Sequence, residues 1–105
     1  MGQAAFPLRS LADGIAVLTF DLHDKGANVL STAVLEEFSS HLDELEKRTD
    51  LRGLVIASGK PGMFIAGADL REFVAAKEAT HEWTVQMCRR GQTLFQRLSK
   101  CPFVT

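Results

Sequence analysis

Two β-rich apolar runs stand on either side of one helical stripe, and this order limits the fold more than any other feature. Residues 14 to 20, GIAVLTF, follow the turn signal Asp13-Gly14 and read as a strand. From Ser31 onward the pattern changes. Leu35, Phe38, Leu42 and Leu45 step by three, four and three, with Glu, Ser and Asp between them. That spacing predicts one helix of about 17 residues with a single apolar face. Ser31 or Thr32 can cap its start, and Lys47 and Arg48 suit the negative end of its dipole. LRGLVIAS, residues 51 to 58, is then a short continuous apolar run in which Val55 and Ile56 favour a buried strand. Strand, crossing helix and strand make a βαβ unit, with parallel pairing and a right-handed crossover. The chain is therefore expected to be α/β.

The connections follow from turn chemistry. DLHDKGAN is a polar loop containing Gly26, and GKPG is a second loop. Residues from Asp69 to about Ala76 read as a short helix. Thr80 can cap another that runs to about Lys100, with Trp83, Met87, Leu94 and Leu98 near one face. Val85 and Phe95 lie off that face, which predicts cover on more than one side. Trp83 and Met87 are expected in a core or a subunit contact, not at a ligand site. Pro102 breaks the helix, and Phe103, Val104 and Thr105 look like the start of a further strand. Two strands and a stub would leave edges and one face open. The expectation is a single domain over residues 1–105 that stops mid-fold or completes its core with a partner.

Composition excludes several classes. Over 105 residues, 46% are apolar and 24% charged, as in ordinary globular chains, and the net charge is −1. No basic field is present to hold nucleic acid, and no apolar run reaches the roughly 20 residues of a membrane span. The N-terminus lacks a secretory pattern, and Phe6 replaces the Ser or Thr of a myristoylation site. Cys88 and Cys101 form no CxxC and read as reduced thiols. The expected location is cytoplasmic, with the mitochondrial matrix left open. His23, His41 and His81 have no partners at metal-ligand spacing, so no metal is expected. Gly59-Lys60 lacks the Walker spacing, and there is no nucleophile elbow.

One stretch asks for chemistry. PGMFIAGADLREF, residues 61 to 73, places Ala66, Gly67 and Ala68 between a strand and a helix, and then Asp69. Small residues leave the backbone approachable, and Gly67 tolerates unusual angles. A helix start offers unpartnered N–H groups and partial positive charge. The stretch can thus present the Ala68 N–H to a carbonyl oxygen. Physics alone leaves a second reading open, a plain strand-to-helix connection with Asp69 in the first helical turn.

GMFIAGADLREF resembles the signature of the crotonase (enoyl-CoA hydratase/isomerase) superfamily. The preceding stretch, LTFDLHDKGANVLSTAVLEEFSSHLDELEKRTDLRGLVIAS, is similar to that family's first strand, substrate loop, long helix and next strand. Ile65, giving FIAGAD, is closest to the hydratase half of multifunctional fatty-acid oxidation α-subunits. The resemblance implies the N-terminal part of a ββα spiral fold, truncated before completion. It implies a lyase acting on acyl-CoA thioesters in β-oxidation, commonly as a trimer. By resemblance, Ala68 supplies one of two backbone donors to the thioester oxygen. Ala66, Gly67, Asp69 and Leu70 line the adenine pocket of coenzyme A and the start of the acyl channel. Lys25 and Ala27 meet the phosphate and pantetheine parts, and Arg71 can assist.

The family's second donor and its two catalytic glutamates fall after a CPFVT-like segment. Glu36, Glu37, Glu44, Glu46, Glu72, Glu78 and Glu82 match none of those positions, and their helical setting predicts solvated faces. The chain by itself is therefore expected to be inactive as a hydratase. It needs no cofactor of its own, although an NAD-dependent dehydrogenase part would follow in a multifunctional parent. The alternative is a non-enzymatic α/β module that binds an anionic ligand or a protein.

Overall fold

The computed structural model describes residues 5–75 and 81–105, with side chains left undescribed at 73–75. The elements are β1 (Leu8–Ser10), β2 (Ile15–Phe20), β3 (Val29–Leu30), α1 (Thr32–Glu46), β4 (Gly53–Ser58), β5 (Gly67–Ala68), α2 (Leu70–Ala75) and α3 (His81–Ser99). The main sheet has the order β1-β2-β4. β2 and β4 run parallel, Ile15 opposite Gly53 through Phe20 opposite Ser58, and α1 makes the crossing. The βαβ unit expected from the sequence is present.

Alternation places β2's residues. Ala16, Leu18 and Phe20 point to the core and are buried, whereas Ile15, Val17 and Thr19 are half-exposed. Ser31 caps α1, its Oγ accepting from the Val34 N–H at 3.2 Å. Val34, Leu35, Phe38, Leu42 and Leu45 form the helix's buried stripe and join one cluster with the inward face of β2 and with Leu54. Leu18, Phe20, Leu42 and Leu45 are each at most 1% exposed, so the core is centred where α1 lies on β2. Gly14, at φ 76°, turns the chain into β2 where a Cβ would stand 2.6 Å from the Asp50 carbonyl oxygen.

The expected final strand begins as foreseen. Val104 pairs in parallel with Gly53 beyond the β4 edge, its carbonyl accepting from the Leu54 N–H at 2.7 Å. β1 had no signal in the sequence. It lies antiparallel to β2, and its three residues are all exposed, so backbone hydrogen bonds rather than burial hold it. The segment before it continues the pairing and tucks Phe6 under the sheet, its ring stacked on Phe20 with centroids 4.6 Å apart.

α3 packs more thinly than its stripe suggested. Leu94 is its buried residue, Trp83, Met87 and Leu98 are half-buried, and Phe95 is exposed. α3 is fixed to α1 by ion pairs: Arg90 to Glu36 at 3.2 Å, and Arg97 to Asp43 at 2.7 Å and Glu46 at 3.0 Å. The proposed Thr80 cap, Ala76 and Glu78 lie outside the described residues. No helix among the described residues is long and apolar enough to cross a membrane.

Candidate functional site

Ala68 sits in a two-stranded ribbon that the sequence did not announce. β3 and β5 pair in parallel, Val29 opposite Gly67 and Leu30 opposite Ala68. The Ala66 N–H donates to the Asn28 carbonyl at 2.8 Å, and the Asp69 N–H to the Leu30 carbonyl at 2.9 Å. In a parallel ladder, a residue whose neighbour carries the bond turns its own N–H and C=O away from that partner strand. The Ala68 N–H therefore points away from β3, on an exposed residue. Gly67 has φ 139°, an angle that side-chain-bearing residues rarely adopt, and this is why the ribbon carries glycine there.

This changes the physical account of the donor. The sequence suggested a free N–H at a helix start. The structure puts Ala68 two residues before α2, on a strand edge, and Asp69 caps the helix itself. The Asp69 Oδ1 accepts from the Arg71 N–H at 3.0 Å.

Two hollows meet at Ala68. One is an open cleft of about 520 Å³ lined by Lys25, Ala27, Ala66, Ala68, Asp69 and Leu70, with Arg71 at its rim. Six of the seven residues singled out from the sequence thus come together. Gly67 does not line this cleft, and shapes it through the backbone. The other hollow is an apolar cavity of about 310 Å³ whose walls include Leu30, Leu35, Ala68, Met87 and Phe95. Trp83 also lines it, as a half-buried residue.

The cleft has a positive end. Lys25 Nζ lies 3.7 Å from Asp69 Oδ2, and Arg71 Nε lies 3.5 Å from Asp69 Oδ1. Two cations share one carboxylate, which leaves one positive charge beside the cleft. Such a rim suits a phosphate or another anion.

Three residues that hold this site were not singled out as doing so. Asn28 is fully buried. Its side-chain amide donates to the Phe20 carbonyl at 2.8 Å and the Phe64 carbonyl at 3.0 Å, and its Oδ1 accepts from the Leu22 N–H at 3.1 Å. It ties the end of β2, the Lys25 loop and the approach to β5 at one point. Lys60 closes the same loop: Nζ donates to the carbonyls of Leu22 at 2.6 Å and Lys25 at 2.8 Å, and pairs with Asp21 Oδ1 at 2.8 Å. The hydrogen bond from Lys60 holds the Asp21 carboxyl below its ordinary range. Glu72 accepts from the Thr32 N–H through both oxygens, at 3.0 and 3.1 Å. A polar loop residue and a helical glutamate look the same in sequence whether solvated or anchoring, so no signal separated them.

Glu72 and Glu37 correct the expectation that the glutamates occupy solvated faces. Glu37 accepts from the N–H groups of Ala5 at 3.0 Å and Phe6 at 2.7 Å, which fastens the segment before β1. Both are carboxylates drawn to unpaired backbone donors. Glu44 and Glu82 are exposed, as expected.

Comparison with known proteins places the chain. The model of the family described as enoyl-CoA hydratase/isomerase matches residues 11–105. The chain belongs to the enoyl-CoA hydratase/isomerase family. It is similar to the fatty acid oxidation complex subunit alpha of Aliivibrio fischeri, 38% identical over 103 residues, which are 97% of this chain and 15% of that protein. The subunit alpha of Idiomarina loihiensis is 35% identical over 96 residues, 91% of this chain and 13% of that one. The chain thus spans about one seventh of the curated relatives it matches. The fold resembles that of the Mycobacterium smegmatis enoyl-CoA hydratase, with TM-score 0.85 at 23% identity, covering 97% of this chain and 38% of that one. Pseudomonas aeruginosa AtuE gives TM-score 0.83 at 22% identity, covering 96% and 38%. The architecture is part of the crotonase fold, as the sequence resemblance implied.

Proposed function

We propose that the chain binds acyl-CoA thioesters in the cleft and cavity that meet at Ala68. The carrying observation is that junction: one outward N–H lies between an apolar hollow and a hollow with a positive rim. The thioester carbonyl takes the Ala68 N–H, whose donation stabilises the negative charge of an enolate. The acyl chain enters the cavity beside Leu30 and Met87. The coenzyme lies along Lys25, Ala27, Ala66, Asp69 and Leu70, with its phosphates near Lys25 and Arg71.

Hydration of an enoyl thioester also needs groups that activate water and deliver a proton to the α-carbon. Among the described residues, Asp69 and Glu72 are the acids that line the two hollows, and both are already engaged with their neighbours. The acid–base pair and a second donor are therefore assigned to parts of the enzyme other than residues 1–105. In this reading residues 1–105 form the coenzyme-binding part of a larger crotonase domain and are inactive alone. The parent is a cytoplasmic β-oxidation lyase, trimeric as its family commonly is, with an NAD-dependent dehydrogenase part if it is multifunctional.

Titration with acetoacetyl-CoA, followed by amide NMR, tests the binding. Shifts should centre on Ala66 to Leu70 and on Lys25 to Ala27. Ala68→Leu fills the junction and should weaken binding more than about tenfold, whereas Lys25→Ala, a half-buried charge contact already shared with Asp69, should cost about threefold. A folded chain whose amides do not move would overturn the reading. Equal binding of coenzyme A and its thioester would favour the alternative, an anionic-ligand module.

A further inference from the structure

Glu72 occupies a place that the proposed function does not use. It stands in α2, yet its carboxylate reaches the first turn of α1. Oε1 and Oε2 accept from the Thr32 N–H at 3.0 and 3.1 Å, and Oε1 lies 3.3 Å from Thr32 Oγ1. Thr32 is the first residue of α1, two positions after Leu30, the partner of Ala68. The chain 28–32 and the chain 66–72 are thus joined at three levels. Asn28 holds Ala66, Leu30 holds Asp69, and Thr32 holds Glu72.

The physical chemistry of that third link is favourable. A helix start leaves N–H groups without partners and carries partial positive charge, so a carboxylate there is held by hydrogen bonds and by the dipole together. Ser31 satisfies the Val34 N–H, and Glu72 satisfies the Thr32 N–H. The β3–β5 ribbon is only two residues per strand, too short to set its own register firmly. Glu72 also lines the apolar cavity beside Ala68. A loss of its grip would let β5 shift relative to the cavity wall supplied by Leu30 and Leu35.

We propose that Glu72 is a positioning residue: it locks α2 to the start of α1 and so sets where the Ala68 N–H stands relative to the acyl cavity. This rests on the acyl-CoA reading for its consequence, but not for its geometry. Glu72 is one wall of the cavity, and its lock on Thr32 acts on Ala68 through the backbone of β5.

The test compares Glu72→Ala and Glu72→Gln with the unaltered chain in two measurements. The first needs no ligand. Amide hydrogen exchange at Ala66 and Asp69 reports the ribbon's opening. It should quicken about tenfold in Glu72→Ala and much less in Glu72→Gln, which keeps an acceptor for the Thr32 N–H. Unchanged exchange in Glu72→Ala overturns the proposal. So does faster exchange spread equally over β2 and β4, because that is general loss of stability. The second measurement is affinity. Glu72→Ala should weaken acetoacetyl-CoA about tenfold and coenzyme A less than twofold, since only the thioester uses Ala68. Equal weakening of both ligands overturns the positioning role. If the unaltered chain binds neither ligand, the acyl-CoA reading falls, and the exchange result alone decides whether Glu72 locks the ribbon.

Discussion

The two sides of α1 make opposite kinds of contact. On one side it offers Phe38, Leu42 and Leu45, all buried, together with Leu35, which is buried and also lines the cavity beside α3. Toward α3 it offers Glu36, Asp43 and Glu46, paired with Arg90 and Arg97 near solvent. Burial of apolar surface gives a contact of about 1.5–3 kcal/mol per side chain with few alternatives of equal energy. Exposed ion pairs contribute about 0–1 kcal/mol each and weaken with salt. The β2–α1–β4 unit is therefore the rigid frame, and α3 is the more weakly held wall. The apolar cavity lies where frame and wall meet, with Leu35 on one side and Met87 and Phe95 on the other.

The sharpest way to break the comparison is to truncate each side in turn. Leu42 is 0% exposed and Phe95 is 47% exposed. Leu42→Ala should cost about 2–5 kcal/mol of stability in urea denaturation, by transfer and cavity terms together. Phe95→Ala should cost less than about 1 kcal/mol. Similar losses from the two would mean that α3 belongs to the same cooperative core.

A second comparison holds polarity constant and varies burial. Asn28 and Arg97 both make several polar contacts, but Asn28 is fully buried and Arg97 is not. Asn28→Ala strands the buried Phe20 carbonyl and removes the part-buried bonds at Leu22 and Phe64, and should cost about 3 kcal/mol. Arg97→Ala should cost under about 1 kcal/mol, an effect that fades in high salt. Denaturation at low and high ionic strength separates them.

The smallest effect is a pH dependence at the Lys25 loop. Asp21 has its folded-state pKa lowered, chiefly by the hydrogen bond from Lys60. A lowered carboxyl contributes stability that is fully present above the ordinary value of 3.8 and is lost as pH falls through the lower folded value. Acidification through that window should loosen residues 21–28, read as line changes at Lys25 and Ala27. Asp21→Asn should remove that component and leave behaviour near neutrality unchanged.

Most of the frame was legible because periodicity reports burial directly. The step of three and four from Leu35 to Leu45 predicts the buried stripe of α1, and Val55-Ile56 favours a buried strand; the strand is present, but Val55 is 48% exposed, which corrects its expected burial. The family signature at Phe64 to Asp69 was legible for a different reason: it is a contiguous motif, and its likeness to the family's decided between two readings that physics alone left open. What stayed hidden were elements made by backbone pairing between distant segments. β1, β3 and β5 have no apolar period of their own, and their partners lie up to 10 residues away for β1 and 38 away for β3 and β5, as in the register pairs Leu8–Leu18 and Val29–Gly67.

The sequence by itself determined the βαβ order, a helix cap at Ser31 or Thr32, a strand start within residues 103–105 and the family. All of these depend on neighbours close along the chain or on a contiguous motif. Tertiary structure decided that Ala68 stands on a strand edge with its N–H turned outward. It decided that Asn28 and Lys60 close the Lys25 loop, and that Glu72 and Glu37 hold backbone donors instead of facing water. The reason is physical. A carboxylate, an amide or an N–H has no preferred partner until the chain folds, and the partner that desolvation leaves within 3 Å is set by packing of segments remote in sequence.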